Sequence, residues 1–120
     1  MMSTTILIIL ILLVIKHFLA DYVFQTKKML REKGIYGAVG GFHHSFIHAV
    51  LTFAIVTSLV GFIAGAFAFL LDFFIHYNLD WVNLHYAKHL THEDKTYWMW
   101  YGGDQGLHYL TYIGIAYVVG

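Results

Sequence analysis

Cysteine and proline are both absent from the 120 residues, and charged side chains make up only 12% of them. Without cysteine the chain has no disulfide framework, no thiol nucleophile and no thiolate metal site. Without proline, a kinked helix would have to take its kink from glycine. Soluble domains carry about 25% charged residues, so the scarcity of charge excludes a disordered tail and an ordinary domain with a charged surface. Lys and Arg total 7 and so do Asp and Glu. No basic stripe exists to neutralise phosphates, which excludes nucleic acid as the main partner. There is no internal repeat, low-complexity tract or flexible linker, and the length fits a single domain over 1–120, too short for a membrane domain plus a separate soluble enzyme.

What the chain does have is long apolar runs: 59% of its residues are hydrophobic and its mean hydropathy is +0.65. A membrane-crossing helix needs about 20 mostly apolar residues to traverse about 30 Å of hydrocarbon. The first such stretch is TTILIILILLVIKHFLADYVF, residues 4–24. It reads as a retained span, because Met1–Thr5 lacks the basic head of a signal peptide and no Ala-x-Ala cleavage signal follows. Residues 40–80 are twice the length of one span, so they are expected to fold back at Ser58–Gly65, where Gly61 and Gly65 punctuate the run. The other reading of Gly61-x-x-x-Gly65 is a close helix contact inside a span. The spans are therefore predicted at about 4–24, 42–60, 66–86 and 103–120. This is an all-α fold, a four-helix transmembrane bundle with antiparallel neighbours.

Lys27, Lys28, Arg31 and Lys33 lie in the first connection and Lys88 and Lys95 in the third, whereas Ser58–Gly65 has no charge. The positive-inside rule puts both basic loops in the cytoplasm and both termini on the non-cytoplasmic side. Trp98, Trp100 and Tyr101 before the last span fit an aromatic interface belt, as do Tyr77, Trp81 and Tyr86 at the end of the third.

The ionisable residues within these spans recur in steps of four: His17 and Asp21, His44 and His48, His76 and Asp80 (with Asp72 a turn earlier), and Asp104 and His108. Residues four apart share one face of a helix. With alternating chain direction each pair falls at a similar depth, toward the cytoplasmic side, so the four pairs meet if their faces point inward. A charged group facing lipid near the helix centre costs about 2.5–3.5 kcal/mol on insertion scales. Inside the bundle the same groups must be paired, hydrogen-bonded or bound to a cation. Imidazole and carboxylate suit Zn, Mn, Fe or Co, and eight candidate ligands (His17, Asp21, His44, His48, His76, Asp80, Asp104 and His108) are enough for one ion with a supporting shell or for two ions. A metal-free polar network or proton path is the alternative. Gln25, Gln105 and Lys28 are candidates for a supporting or substrate-facing role. Lys16 either snorkels to headgroups or meets an acid such as Asp72. His43, His85, His89 and His92 are expected to be ordinary packing or loop residues.

The stretches HFLADYVFQ (His17–Gln25), His44-x-x-x-His48, HYNLD (His76–Asp80) and DQGLH (Asp104–His108) resemble the motifs of the domain of unknown function 3307 family, small bacterial and phage membrane proteins. The resemblance covers nearly the whole chain. It implies that His17, Asp21, Gln25, His48, His76, Asp80, Asp104, Gln105 and His108 are the characteristic residues, and it supports a site without naming a reaction. More loosely, the chain is similar to inner-membrane proteins described as metal-dependent hydrolases. The family is expected to carry a basic residue soon after the position of Asp80; here Trp81 follows, and the next lysine is Lys88.

Three functions compete at this point. The first is a metal-dependent hydrolase in a bacterial inner membrane, acting on a phosphate ester of a lipid or lipid-linked substrate, with Asp21, Asp80 or Asp104 bridging ions or accepting the proton of a metal-bound water. The second is a metal-stabilised interaction protein that modulates a phage or host envelope process, for which homo-oligomers are open. The third, a proton or metal relay, needs a polar path through Ile6–Val14 and Leu51–Val60, where the only polar residues are Thr52, Thr57 and Ser58.

Overall fold

The structure is a computed structural model that describes residues 2–120. Ser3 opens the first helix, α1 (Thr4–Phe18), by accepting a hydrogen bond from the Ile6 N–H, which satisfies one of the donors a helix start leaves free. α1 runs directly into one wide π turn, Leu19–Val23, closed by the Phe24 N–H on the Leu19 carbonyl at 2.8 Å. Thr26 caps a short helix, α2 (Lys27–Glu32), through the Met29 N–H. The chain then turns at Gly37, where φ is +90°, into α3 (Val39–Leu59). Only Val60 and Gly61 separate α3 from α4 (Phe62–Ala87), and α5 (Lys95–Val119) follows a loop.

Both readings of the glycine pair hold, each at its own glycine. Gly61 makes the turn with φ +135°, a conformation L side chains rarely adopt. Gly65 makes the close contact: a Cβ there would stand 1.9 Å from Thr57 Oγ1. Below the turn, α3 and α4 zip together through aromatic rings whose order is reversed along the two helices. Phe53 meets Phe62, Phe46 meets Phe69, and Phe42 meets Phe73 and Tyr77. α1 and α5 meet in the same reversed order, with His17 against Tyr112 and Tyr22 hydrogen-bonded to Tyr101. α4 meets α5 through Asp80 with His108 and Tyr86 with Trp100.

Three helical stretches, Thr4–Val23, Val39–Leu59 and Phe62–Ala87, are long and apolar enough to cross a membrane, which supports integral membrane placement. α5 has the length but not the hydropathy. It carries Lys95, Asp104, Gln105 and His108 along with five glycines and tyrosines between Tyr97 and Gly106. It also starts earlier than residue 103 and takes in Trp98–Tyr101, so the aromatic belt and the final apolar segment are one helix. The outside of the molecule is apolar: Ile11, Ile15, Leu70, Phe74, Leu110 and Ile113 are exposed. Charged and imidazole groups are instead buried between the helices, an arrangement suited to hydrocarbon surroundings rather than water. At one end of the bundle Ile9, Leu13, Val56, Ala68, Ile115 and Ala116 form a dry core.

Candidate metal centre

The four-residue spacing places two inward side chains on successive turns of each helix, and packing brings those turns to one level. His17, His44, His48, His76 and His108 are each no more than 1% exposed, which excludes decoration of the lipid-facing surface. Asp21, Asp80 and Asp104 are buried beside them. All five imidazoles turn Nε2 toward the carboxylates. Around Asp21, Oδ1 lies 2.8 Å from His48 Nε2 and 3.1 Å from His44 Nε2, while Oδ2 lies 3.1 Å from His17 Nε2. Around Asp80, Oδ2 lies 3.2 Å from His76 and 3.3 Å from His44, and Oδ1 lies 3.0 Å from His108. His44 thus stands between the two carboxylates. Asp104 Oδ1 reaches His108 at 3.4 Å.

A buried His/Asp cluster able to coordinate a divalent metal is therefore present. Asp21, His44, His48 and His76 form one group and His76, Asp80 and His108 another, the ligand atoms of each lying within 4.8 Å of one another. Bonds of about 2.1 Å in a tetrahedron put neighbouring ligand atoms about 3.4 Å apart, close to the spacings just given. The two groups share His76, and Asp21 and Asp80 each present both oxygens to different histidines. That is the donor set of one ion with a supporting shell or of two adjacent ions. His17 and Asp104 stand outside both groups, one bonded to Gln105 Oε1 at 2.8 Å and the other beside His108.

Asp80 Oδ2 and Asp104 Oδ1 are buried and accept no well-aligned hydrogen bond among the described residues, although imidazole nitrogens lie 3.2–3.4 Å away. Native proteins rarely leave such atoms unmatched. Of the lysines, Lys16 is engaged with Asp72, and among the described residues the half-buried Lys33 is the one that shares a cavity wall with the three carboxylates. A divalent cation held here would offset carboxylate charge that one lysine leaves unbalanced.

Lys16 does meet Asp72, at 2.6 Å, with both side chains buried. Thr52 also donates to Asp72 Oδ2, and the ammonium lies 4.5 Å from the Tyr112 ring centroid. This closed pair separates the His/Asp layer from the dry core. Lys16 Nζ further lies 3.1 Å from His48 Nδ1. An ammonium can only donate, so Nδ1 accepts, and Nε2 carries the proton that it gives to Asp21 Oδ1. His48 in this state orients Asp21, whereas His17 Nδ1 faces the Tyr112 hydroxyl at 2.6 Å, which holds that imidazole in place beside Asp21.

On the side away from the dry core, a cavity of about 140 Å³ meets the carboxylates; Asp21, Gln25, Lys33, Asp80, Asp104 and Gln105 line it, with Trp100 and Tyr101 at its wall. Gln25 Nε2 donates to the Asp21 carbonyl at 2.8 Å. Lys28 is exposed on α2 and does not line this cavity, whereas Lys33 does. His43, His85, His89 and His92 are exposed and lie outside the layer.

Several participants escape a search for paired ionisable groups. Tyr112 continues the four-residue step beyond His108, and Thr52 continues it beyond His48, so extending the step by one turn finds both. The π turn at Leu19–Val23 gives no comparable signal. It inserts a residue into the winding where Asp21 must face α3, and such bulges recur at functional sites.

The family model described as protein of unknown function (DUF3307) matches residues 9–120, a stretch that contains every His and Asp of the layer, and the chain belongs to that family. No curated protein and no solved structure matches the chain.

Proposed function

For this DUF3307 member we propose a metal-stabilised membrane interaction protein, in which the His/Asp layer holds a divalent cation (one ion or a pair, of Zn, Mn, Fe or Co) that ties the helices together. The supporting observation is the meeting of His17/Asp21, His44/His48, His76/Asp80 and Asp104/His108 from four helices at one buried level, with carboxylate oxygens that accept no well-aligned hydrogen bond. In this reading residues 1–120 form one polytopic domain and α5 is the fourth span. The basic residues of α2 and the α4–α5 loop face the cytoplasm, and both termini lie on the other side. The membrane is a bacterial inner membrane. The outer face of α5 offers room for a partner helix or a second copy, because Gly102 and Gly106 have nothing within 4 Å of an added Cβ.

Elemental analysis of detergent-purified protein tests this reading, followed by thermal unfolding with and without a chelator. At least one divalent ion per chain and a clear loss of unfolding temperature on chelation are expected. Metal-free wild type that also fails to bind added Zn, Mn, Fe or Co would sink it.

One observation favours a second reading, a metal-dependent hydrolase of lipid-linked phosphate esters. The polar cavity reaches Asp21, Asp80 and Asp104 from the basic end, so a reacting group has an approach. When bound, the ion would acidify a water and polarise a phosphoryl oxygen. Asp21 and Asp80 would hold it, Asp104 would accept a proton, and Gln105 and Gln25 would keep His17 and Asp21 in place. Phosphate release from phosphatidic acid vesicles, abolished in Asp104→Asn with metal retained, is the outcome this reading requires. A relay across the bilayer has no such support, since the Lys16–Asp72 pair and the dry core close the far end.

A further inference from the structure

The polar cavity does not stop at polar walls. Three of its residues, Asn83, Trp100 and Asp104, also line an apolar groove of about 310 Å³ between α4 and α5. The groove continues along Leu79, Val82, Met99 and Leu107, of which the last three are exposed on the outside of the bundle. The cavity at the buried carboxylates and the groove on the surface that faces hydrocarbon therefore adjoin at Asp104, Asn83 and Trp100. Trp100, at the junction, stacks on Tyr86 beside Trp98 and Tyr101, and such amphipathic rings sit at headgroup level in membranes.

The two compartments differ in size and chemistry. At about 140 Å³ the polar one is smaller than the roughly 300–1,000 Å³ of pockets that enclose drug-sized ligands. It admits a compact polar head and leaves the bulk of a larger ligand in the apolar groove. Its basic lining residue is Lys33, and opposite stand the carboxylates of the metal centre. Those carboxylates alone repel an anion, whereas a cation held among them offsets most of that repulsion and offers an anionic oxygen a ligand position. A ligand with a small anionic end and a long apolar end satisfies both compartments. A soluble phosphate compound would leave the groove unused.

We propose that the α4–α5 groove seats an acyl chain of a membrane phospholipid, whose phosphate enters the mouth cavity between Lys33 and the cation of the His/Asp centre. The head's position rests on the metal reading given above; the seat of the chain in the groove does not.

Gly103 allows a direct test. It lines the groove, and a Cβ there meets nothing within 4 Å, so Gly103→Leu fills the groove without touching the helix packing. Gly114→Leu adds the same bulk to α5 at another open glycine that is not on the groove lining. Protein reconstituted in vesicles of phosphatidylglycerol and phosphatidylethanolamine is extracted and washed in detergent, and retained phospholipid and metal per chain are measured by mass spectrometry. Wild type and Gly114→Leu are expected to keep about one phospholipid per chain. Gly103→Leu should keep at least five-fold less at unchanged metal content.

A chelator-treated wild type that keeps groove-dependent lipid with weaker selection for phosphatidylglycerol supports the proposal. Metal-free wild type with groove-dependent lipid would sink the metal reading and leave the chain's seat standing. Equal retention by wild type and Gly103→Leu overturns the proposal whatever the metal content. So does binding of glycerol 3-phosphate that matches phospholipid binding and ignores Gly103→Leu.

Discussion

Toward one end of the bundle Ile9 and Leu13 of α1 pack on Val56 of α3, Ala68 of α4 and Ile115 and Ala116 of α5. One or two turns along the same helices, the inward positions become His17 and Asp21, His48 and His44, His76 and Asp80, and His108 and Asp104. The helices are continuous between the two regions, so the backbone does not distinguish them. The side chains set different rules for stability. In the dry region any apolar residue of the right volume will serve. In the polar region each group depends on particular partners, because a buried charge or imidazole that loses its partner has no water to turn to. The dry region rests on side-chain volume alone, whereas the polar region is a buried His/Asp cluster able to coordinate a divalent metal.

Substitutions at the two regions should therefore part company. The largest effect is expected for Asp80→Ala, which leaves His44, His76 and His108 facing one another without a shared acceptor. Bound metal should fall to less than a tenth of wild type by elemental analysis, with a loss of stability of about 3–5 kcal/mol. Retention of full metal content would show that the carboxylate is not part of the centre. At the boundary, Lys16→Met strands the buried Asp72 and should also cost about 3–5 kcal/mol. The double variant Lys16→Met/Asp72→Leu should recover most of that in unfolding experiments, because removing both charges removes the demand for pairing. A double variant as unstable as the single one would mean that the pair has a further role.

In the dry region Leu13→Ala is expected to cost about 2–5 kcal/mol through the cavity it opens, with metal content unchanged. A simultaneous loss of metal would erase the distinction between the two regions. Smaller still, Gly65→Ala sets a Cβ against Thr57 Oγ1 and should cost about 1–3 kcal/mol. Thr57→Ala should relieve it, and thermal melts of the two single variants and the double decide. Gly114→Ala faces open space. It should shift stability by no more than about 1 kcal/mol, in the favourable direction that helix propensity gives.

Much of the polar region was legible without coordinates because helical periodicity is a local property. His and Asp in steps of four mark one face of a helix whatever surrounds it. Alternating chain direction then aligns the four marked faces in depth. The link between α3 and α4 was legible for a similar reason, since 41 residues of one apolar stretch between 40 and 80 exceed a single crossing. Lys33 was read as one of four basic loop residues, and nothing local set it apart from Lys28. Its place on the cavity wall, just past the end of α2, depends on how α2 folds back against α3. The hydropathy of α5 was read from its C-terminal part alone. The helix in fact begins at Lys95, and its polar and glycine-rich first half carries Asp104 and Gln105 of the His/Asp layer.

The sequence by itself determined that the chain is helical, that most of its length suits a membrane, and which face of each helix is polar, because spacing and hydropathy act over a few neighbouring residues. The tertiary structure alone decided the rest. It set which oxygen of Asp21 or Asp80 faces which imidazole, placed Lys16 against His48, and put Asp104 on the lining of both the polar cavity and a groove between α4 and α5. Those relations link residues up to 95 positions apart, such as His17 and Tyr112. They arise from ångström-scale packing between helices and from one inserted π turn, and neither leaves a periodic trace in the chain.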